Sequence, residues 1–204
     1  ANFYYNRGLE YSQRGDMKRA IADFTRVIKL NPQDAEAYVN RGSAYLFLEK
    51  YQAAITDYTK ALQLRDDNAL AYYNRGYAYS ALGDYQTALK DYNVALELAP
   101  DFTIAYINRG NILAEMGLTE EAATNFYQAL NLNPHDALAY YSLGVLHYNI
   151  GEVERALGEL SEAIMIDPNY GEAYYYRSLV KASLGDKQGA EADYQMAKKL
   201  KVID

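Results

Sequence analysis

Cysteine is absent, which excludes a disulfide framework, a thiolate nucleophile and a cysteine-based zinc site. The absence fits a reducing cytoplasm, although a bacterial periplasmic protein can lack cysteine too. Histidine is almost as scarce: His135, in a turn after Pro134, and His147, in the row of Tyr11 and Tyr45, are the only two. His147 reads as a core or groove-edge residue rather than a base. No Ser-His-acid order, glycine-rich phosphate loop or histidine–acid metal spacing occurs. No catalytic residue, metal ligand or cofactor is therefore assigned, and the chain is not expected to be an enzyme. No stretch approaches the roughly 18 consecutive apolar residues of a membrane helix, so membrane insertion is not expected. Positive charge is also in deficit: the net charge is −7 and the isoelectric point about 4.9. Such a field repels phosphate backbones and anionic lipid, so neither nucleic acid nor a membrane surface is an expected partner. The opening Ala1-Asn2-Phe3-Tyr4 lacks an initiator Met and is no secretory leader, which implies either a removed leader or a fragment.

What the chain does have is a repeat. Gly8, Gly42, Gly76, Gly110 and Gly144 recur every 34 residues, with Ser178 in the sixth place. Ala20, Ala54, Ala88, Ala122, Ala156 and Ala190 keep the same interval, as do Tyr4, Tyr38, Tyr72, Tyr106, Tyr140 and Tyr174. Another series, Phe24, Tyr58, Tyr92, Phe126, Leu160 and Tyr194, is aromatic in all but one unit. The period divides the 204 residues into six units, 1–34, 35–68, 69–102, 103–136, 137–170 and 171–204, and leaves nothing over for a second domain.

Within each unit the apolar spacing is helical twice. The break between the two helices falls at Gly15, Gly83, Gly117, Gly151 and Gly185, with Glu49 as the exception. Asp16, Asp84 and Asp186 follow directly and are placed to cap the second helix. That helix is expected to stop near Pro32, Pro100, Pro134 and Pro168, which cannot continue it; Asp66 and Val202 stand in those places in units two and six. Helices of about a dozen residues are marginal alone and need stacked neighbours. The Gly8 and Ala20 rows should let two helices approach, with the large residues of the Tyr4, Tyr11 and Phe24 rows filling the space beside them.

Tyr72-Tyr73-Asn74-Arg75-Gly76-Tyr77-Ala78-Tyr79, followed by Ala88, Tyr92, Ala95 and Pro100, resembles the signature of the tetratricopeptide repeat family. The resemblance extends over the whole chain. It implies an all-α fold, a right-handed superhelical solenoid of antiparallel helix pairs forming one domain. Arginine replaces the family's usual leucine at Arg7, Arg41, Arg75, Arg109 and Arg177, a variant that looks like bacterial and cyanobacterial members; Leu143 alone keeps the consensus. Sixteen residues after these arginines stand Asp23, Asp57, Asp91, Asn125 and Asp193. They are read as helix-to-helix or unit-to-unit ion pairs, each contributing under ~1 kcal/mol if exposed, in preference to an arginine row that grips acidic ligands.

In members of the family the first helices line a concave face. Carried onto this sequence, that face consists of the rows beginning at Asn2, Tyr5, Asn6, Leu9, Ser12 and Gln13. Asn6, Asn40, Asn74 and Asn108 form one of them, continued by Ser142 and Tyr176. The row is similar to the asparagine ladder of O-linked N-acetylglucosamine transferases, where an amide, donor and acceptor at once, pairs with a peptide backbone whatever its side chains. A plainer reading remains beside it, that Asn completes a helical turn inherited by duplication. Tyr5, Val39, Tyr73, Ile107 and Tyr141, with Leu70, Ile104 and Leu138, and with Tyr77, Asn111 and Tyr148, would add apolar, aromatic and amide surface. Tyr4, Tyr11, Tyr38, Tyr45, Tyr72 and Tyr79 belong to rows expected to be buried. The family's carboxylate clamp needs lysines in the Asn2 and Tyr5 rows, and none is present.

The expected function is a protein-binding scaffold or adaptor that takes an extended, partly apolar peptide. The alternatives are a self-assembling, homo-oligomeric structural repeat, or the repeat domain of a larger protein whose activity lies elsewhere. Lys198, in a row otherwise occupied by Ile28, Leu62, Leu96, Leu130 and Ile164, and Lys181, in the Tyr11 row, mark the last unit as a polar end cap. No such adaptation is read at the amino end, which leaves residues expected upstream.

Overall fold

The turn inside each helical hairpin is made by a residue in the left-handed region. Gly15, Gly83, Gly117, Gly151 and Gly185 have φ between 77° and 85°, and Glu49 takes the same role at φ 55° despite its Cβ. A computed structural model describes residues 1–203, and over these it contains twelve α-helices and no strand. They are α1 (Asn2–Gln13), α2 (Met17–Leu30), α3 (Ala35–Phe47), α4 (Tyr51–Leu64), α5 (Ala69–Ala81), α6 (Tyr85–Leu98), α7 (Thr103–Glu115), α8 (Thr119–Leu132), α9 (Ala137–Asn149), α10 (Val153–Ile166), α11 (Gly171–Ser183) and α12 (Lys187–Lys199). None of them is long and apolar enough to cross a membrane.

Side-chain caps start many of the helices. Asp16, Asp84 and Asp186 accept from the backbone N–H groups of Arg19, Thr87 and Gly189 at the heads of α2, α6 and α12. Asp34, Asn68 and Asp136 do the same for α3, α5 and α9, caps the sequence reading did not single out. The prolines are helpful but not required for the stop. Arg65, before Asp66, is as extended (φ −153°, ψ 113°) as Asn31 before Pro32 (φ −140°, ψ 91°).

The helices group into two compact units, Ala1–Ala105 and Tyr106–Asp204. In the first, α1–α2, α3–α4 and α5–α6 are antiparallel pairs, with α2 packed on α3 and α4 on α5. In the second, α9–α10 and α11–α12 pair, α8 lies on α9, and α10 on α11. The first five hairpins close where a glycine faces a ring or a leucine. A Cβ on Gly8 would lie 2.8 Å from the Phe24 ring, one on Gly110 2.6 Å from that of Phe126, and one on Gly144 2.6 Å from Leu160 Cγ. In the last hairpin Ser178 puts a Cβ into that space, and Tyr194 is 37% exposed where its counterparts are buried.

The arginine row is built into the hairpins. Arg7, Arg41, Arg75 and Arg177 each grip the acid sixteen residues on through Nε and Nη2, at 2.6–2.8 Å. Nη1 of Arg41, Arg75 and Arg177 reaches back to the hydroxyls of Thr25, Thr59 and Ser161 on the preceding hairpin. The acids are buried, so the condition on the small contribution, exposure, does not hold. The tyrosine rings of the Tyr4 and Tyr11 rows are half-buried rather than buried. They flank the guanidinium groups instead of filling the core: Arg7 lies over Tyr4 and Tyr11, Arg41 over Tyr38 and Tyr45, and Arg75 over Tyr72.

Two hairpins depart from this pattern. In α7–α8 the Arg109 Nε donates to the Asn125 amide oxygen (2.7 Å), and Asn125 Nδ2 donates to the Glu121 carbonyl. Burial, without a carboxylate opposite, holds Arg109 below the usual arginine range. In α9–α10 the arginine is Leu143, and the acid in the Asp23 row, Glu159, is held instead by His147 Nδ1 at 2.6 Å. His147 is thus a core residue with a structural partner.

Two expectations about the ends change. Lys181 is not part of an outer polar face, because its Nζ lies 2.8 Å from Asp193. At the amino end Glu10 is exposed in a row whose other members, Ala44, Ala78, Ile112, Leu146 and Val180, are buried. A charge therefore does stand on that face where inner hairpins are apolar.

Candidate functional site

The first-helix rows reach the surface unequally, because in a helix a face is shared but its depth depends on the neighbour. In unit 1, Asn6 is exposed and Asn40 and Asn74 are half-buried. Asn40 Nδ2 donates to the Tyr5 hydroxyl of the preceding hairpin (3.0 Å). Asn74 bonds the Tyr58 hydroxyl, which also pairs with Ser43 at 2.9 Å. Burial pushes the Tyr58 phenol up to about 12, against the lowering effect of those two hydrogen bonds. Leu70 and Tyr77 are exposed at 49% and 44%, while the half-buried Tyr73 ring lies between Tyr92 and Phe102, at centroid distances of 5.7 and 4.8 Å.

Two residues expected in the lining are core instead. Val39 is 7% exposed and Ile107 fully buried, so they support the surface rather than present it. Ile104 and Asn108 are half-buried.

In unit 2 the rows come together around a cleft of about 660 Å³. Leu138 comes from the Asn2 row, Tyr141 from the Tyr5 row, and Ser142 and Tyr176 from the Asn6 row. Asn111 and Val145 belong to the Leu9 row, Ala114 to the Ser12 row, and Glu115 and Asn149 to the Gln13 row. Every first-helix row is therefore represented. Tyr148, expected in the lining, is not part of it, and its ring is edge-on to Tyr176 at 6.3 Å. Tyr141 is packed against Tyr170 (4.9 Å) and Tyr176 (5.7 Å). Its hydroxyl is pushed up to about 12, by burial first, then by Tyr176 and the carboxylate of Glu172. Burial raises Tyr170 as well.

Sequence reasoning passed over Ile150 and Thr119, which line the cleft from the end of α9 and the start of α8. A signal for Ile150 was available in the apolar row Leu48, Leu82, Met116, Ile150 and Leu184. Among the residues lining the cleft Glu115 is the one charged side chain, and among the described residues no group of histidine and acids could hold a metal ion. Glu36, in the row where a carboxylate clamp would need lysine, is engaged by Arg65.

Comparison with known proteins follows the same lines. Family models described as tetratricopeptide repeat match residues 1–34, 24–56, 69–102 and 137–170, and one described as TPR repeat matches 42–83 and 110–151. No curated protein matched. Among solved structures, a tetratricopeptide repeat protein from Parabacteroides merdae is 22% identical, with a TM-score of 0.84 over 97% of this chain and 78% of its own. PilW, described as a widely conserved type IV pilus biogenesis factor, is 20% identical, with a TM-score of 0.85 over 94% and 89%. YrrB, described as a TPR protein with an unusual peptide-binding site, is 25% identical, with a TM-score of 0.67 over 87% and 91%. Helical hairpins packed in sequence within each unit, matched along most of the chain by these models, make a scaffold for protein–protein interaction, and the chain belongs to the tetratricopeptide repeat family.

Proposed function

We propose that this scaffold, a single domain of six repeats, holds an extended, partly apolar polypeptide segment against its first-helix faces. Asparagine amides follow the ligand backbone, and aromatic and aliphatic side chains decide which segment is held. The observation that carries the reading is the unit 2 cleft, whose wall draws on all six first-helix rows and leaves room for a large side chain. The peptide-binding site in the description of YrrB supports the ligand class.

Magnitudes divide the labour. Four ladder amides contribute about 2–6 kcal/mol net, whereas micromolar binding needs about 8. Seating one large apolar side chain in the cleft contributes about 1.5–3 kcal/mol more. The bond from Asn40 to Tyr5 does not exhaust the amide, which has a second N–H and a carbonyl oxygen to offer. Being tethered, it loses less freedom when a ligand arrives.

The test is the triple variant Asn40→Ala, Asn74→Ala, Asn108→Ala, titrated with an extended apolar peptide selected by display on the unmodified chain. Affinity should fall at least tenfold. Asn40 and Asn74 also hold tyrosine hydroxyls, so unfolding should shift modestly, and Tyr5→Phe controls for that loss because it leaves the Asn40 amide in place. Unchanged affinity in the triple variant refutes the ladder. Unchanged affinity in Tyr141→Ala refutes the cleft as the anchor.

A further inference from the structure

The charges around the unit 2 cleft narrow what it would take. The chain has 20 lysines and arginines, yet none stands in any of the six first-helix rows, which do contain Glu36, Glu115 and Glu172. Glu36 is engaged by Arg65. Glu115 is exposed at the end of α7, in the cleft lining, with no basic side chain beside it in that lining. Glu172 adds a second negative field, felt at the hydroxyl of Tyr141.

None of the cations of unit 2 lines the cleft. Arg109 is turned into its own hairpin toward Asn125. Arg155 is bound to Glu152, and Arg177 and Lys181 to Asp193. Lys187, Lys198 and Lys199 are on α12 and Lys201 follows it, and neither that helix nor Lys201 contributes to the cleft. The cleft is thus walled by apolar and aromatic side chains interspersed with the amides of Asn111 and Asn149 and the hydroxyls of Thr119 and Ser142. Its one lining charge is the carboxylate of Glu115, and no basic side chain in the lining screens it.

We propose that this cleft selects a peptide segment in which a large apolar side chain has a lysine or arginine close by in sequence. The apolar side chain sits between Leu138, Tyr141, Val145 and Tyr176, and the cation faces Glu115. The inference rests on the reading of the first-helix faces as a peptide site and adds to it the sign of the ligand's charge. An acidic residue at the same place would meet an uncompensated carboxylate, so the charge acts against the wrong ligand as well as for the right one.

The probes are three fluorescently labelled synthetic peptides on one serine-rich background. They differ only at two central positions: Leu-Arg, Leu-Glu and Ala-Arg. Anisotropy titrations with the full chain at low salt should rank Leu-Arg above Leu-Glu by about tenfold, with the gap narrowing at high salt as screening sets in. Ala-Arg should bind more weakly than Leu-Arg. Glu115→Gln, an exposed change that leaves the fold untouched, should reduce the Leu-Arg preference to about threefold or less, and adding Glu172→Gln should abolish it. If Leu-Glu binds as well as Leu-Arg, or if the preference survives both substitutions, the charge selection is wrong while the peptide site stands. If none of the three peptides binds, the peptide site fails and the selection with it.

Discussion

Replacing Arg75 by Leu copies into the third hairpin what the chain itself carries at Leu143. The guanidinium donates from Nε and Nη2 to both oxygens of Asp91, each at 2.8 Å, and from Nη1 to Thr59 Oγ1 at 3.2 Å. Asp91 is 4% exposed. Removing the arginine leaves that carboxylate buried without its cation, a change that costs about 3–5 kcal/mol, a large share of the ~5–15 kcal/mol that holds an ordinary domain together. Removing both charges, with Arg75→Leu and Asp91→Leu together, should return most of the loss, because a buried ion pair replaced by apolar side chains is often close to neutral. Urea denaturation followed by far-UV circular dichroism gives the midpoints. Since stacked hairpins can unfold piecemeal, amide hydrogen exchange in α5 and α6 localises the effect. A single substitution costing less than ~1 kcal/mol, in the range of exposed pairs, would refute the burial argument, as would a double variant no more stable than the single one.

Gly144→Ala should destabilise by about 1–3 kcal/mol, since the new Cβ meets Leu160 at Cγ (2.6 Å) and the Leu160 backbone nitrogen at 3.3 Å. Gly42→Ala, with 3.1 Å to the Tyr58 ring, should cost clearly less in the same thermal melts, and an inverted order would count against the packing account. Glu49→Gly should stabilise by about 0.5–1 kcal/mol, because a left-handed φ is adopted there at a cost only glycine avoids. A lowered urea midpoint would contradict that. The pH dependence should run in two directions. At Asp193 burial alone would raise the pKa, but the hydrogen bonds of Arg177 and Lys181 hold it below the usual 3.8, so its contribution is present above that value and fades as pH falls through the lowered one. At Glu159 burial raises the pKa above 4.5 even though the His147 hydrogen bond opposes it, so its contribution is present below 4.5 and is lost as pH rises through the raised value. His147→Ala should move that loss to higher pH still, and urea midpoints measured across acidic pH check both signs.

Local chemistry made much of this protein legible before any coordinates. The 34-residue period, the glycines that end most first helices, the aspartates that cap several second helices and the arginine–aspartate pairing all follow from backbone dihedrals and from residues within one hairpin. The same reasoning reached too far where a residue's depth depends on another hairpin. Val39 and Ile107 share a helix face with exposed neighbours yet are buried, and the Tyr4 and Tyr11 rows share a face with core residues yet remain half-exposed beside the guanidinium groups. The exchange of arginine for His147 opposite Glu159 was equally hidden, because its two partners lie in different rows and only the hairpin brings them to 2.6 Å.

The sequence by itself determined the helical hairpin and its repetition, since a period of fixed residue types imposes the same local dihedrals and the same apolar stripe in every unit. Tertiary structure alone decided which of the repeated side chains meet. Asn40 reaches Tyr5 across 35 residues, and Asn111, Tyr141 and Tyr176 border one cleft from three different hairpins. Packing in three dimensions sets those distances, and a one-dimensional period carries no information about them.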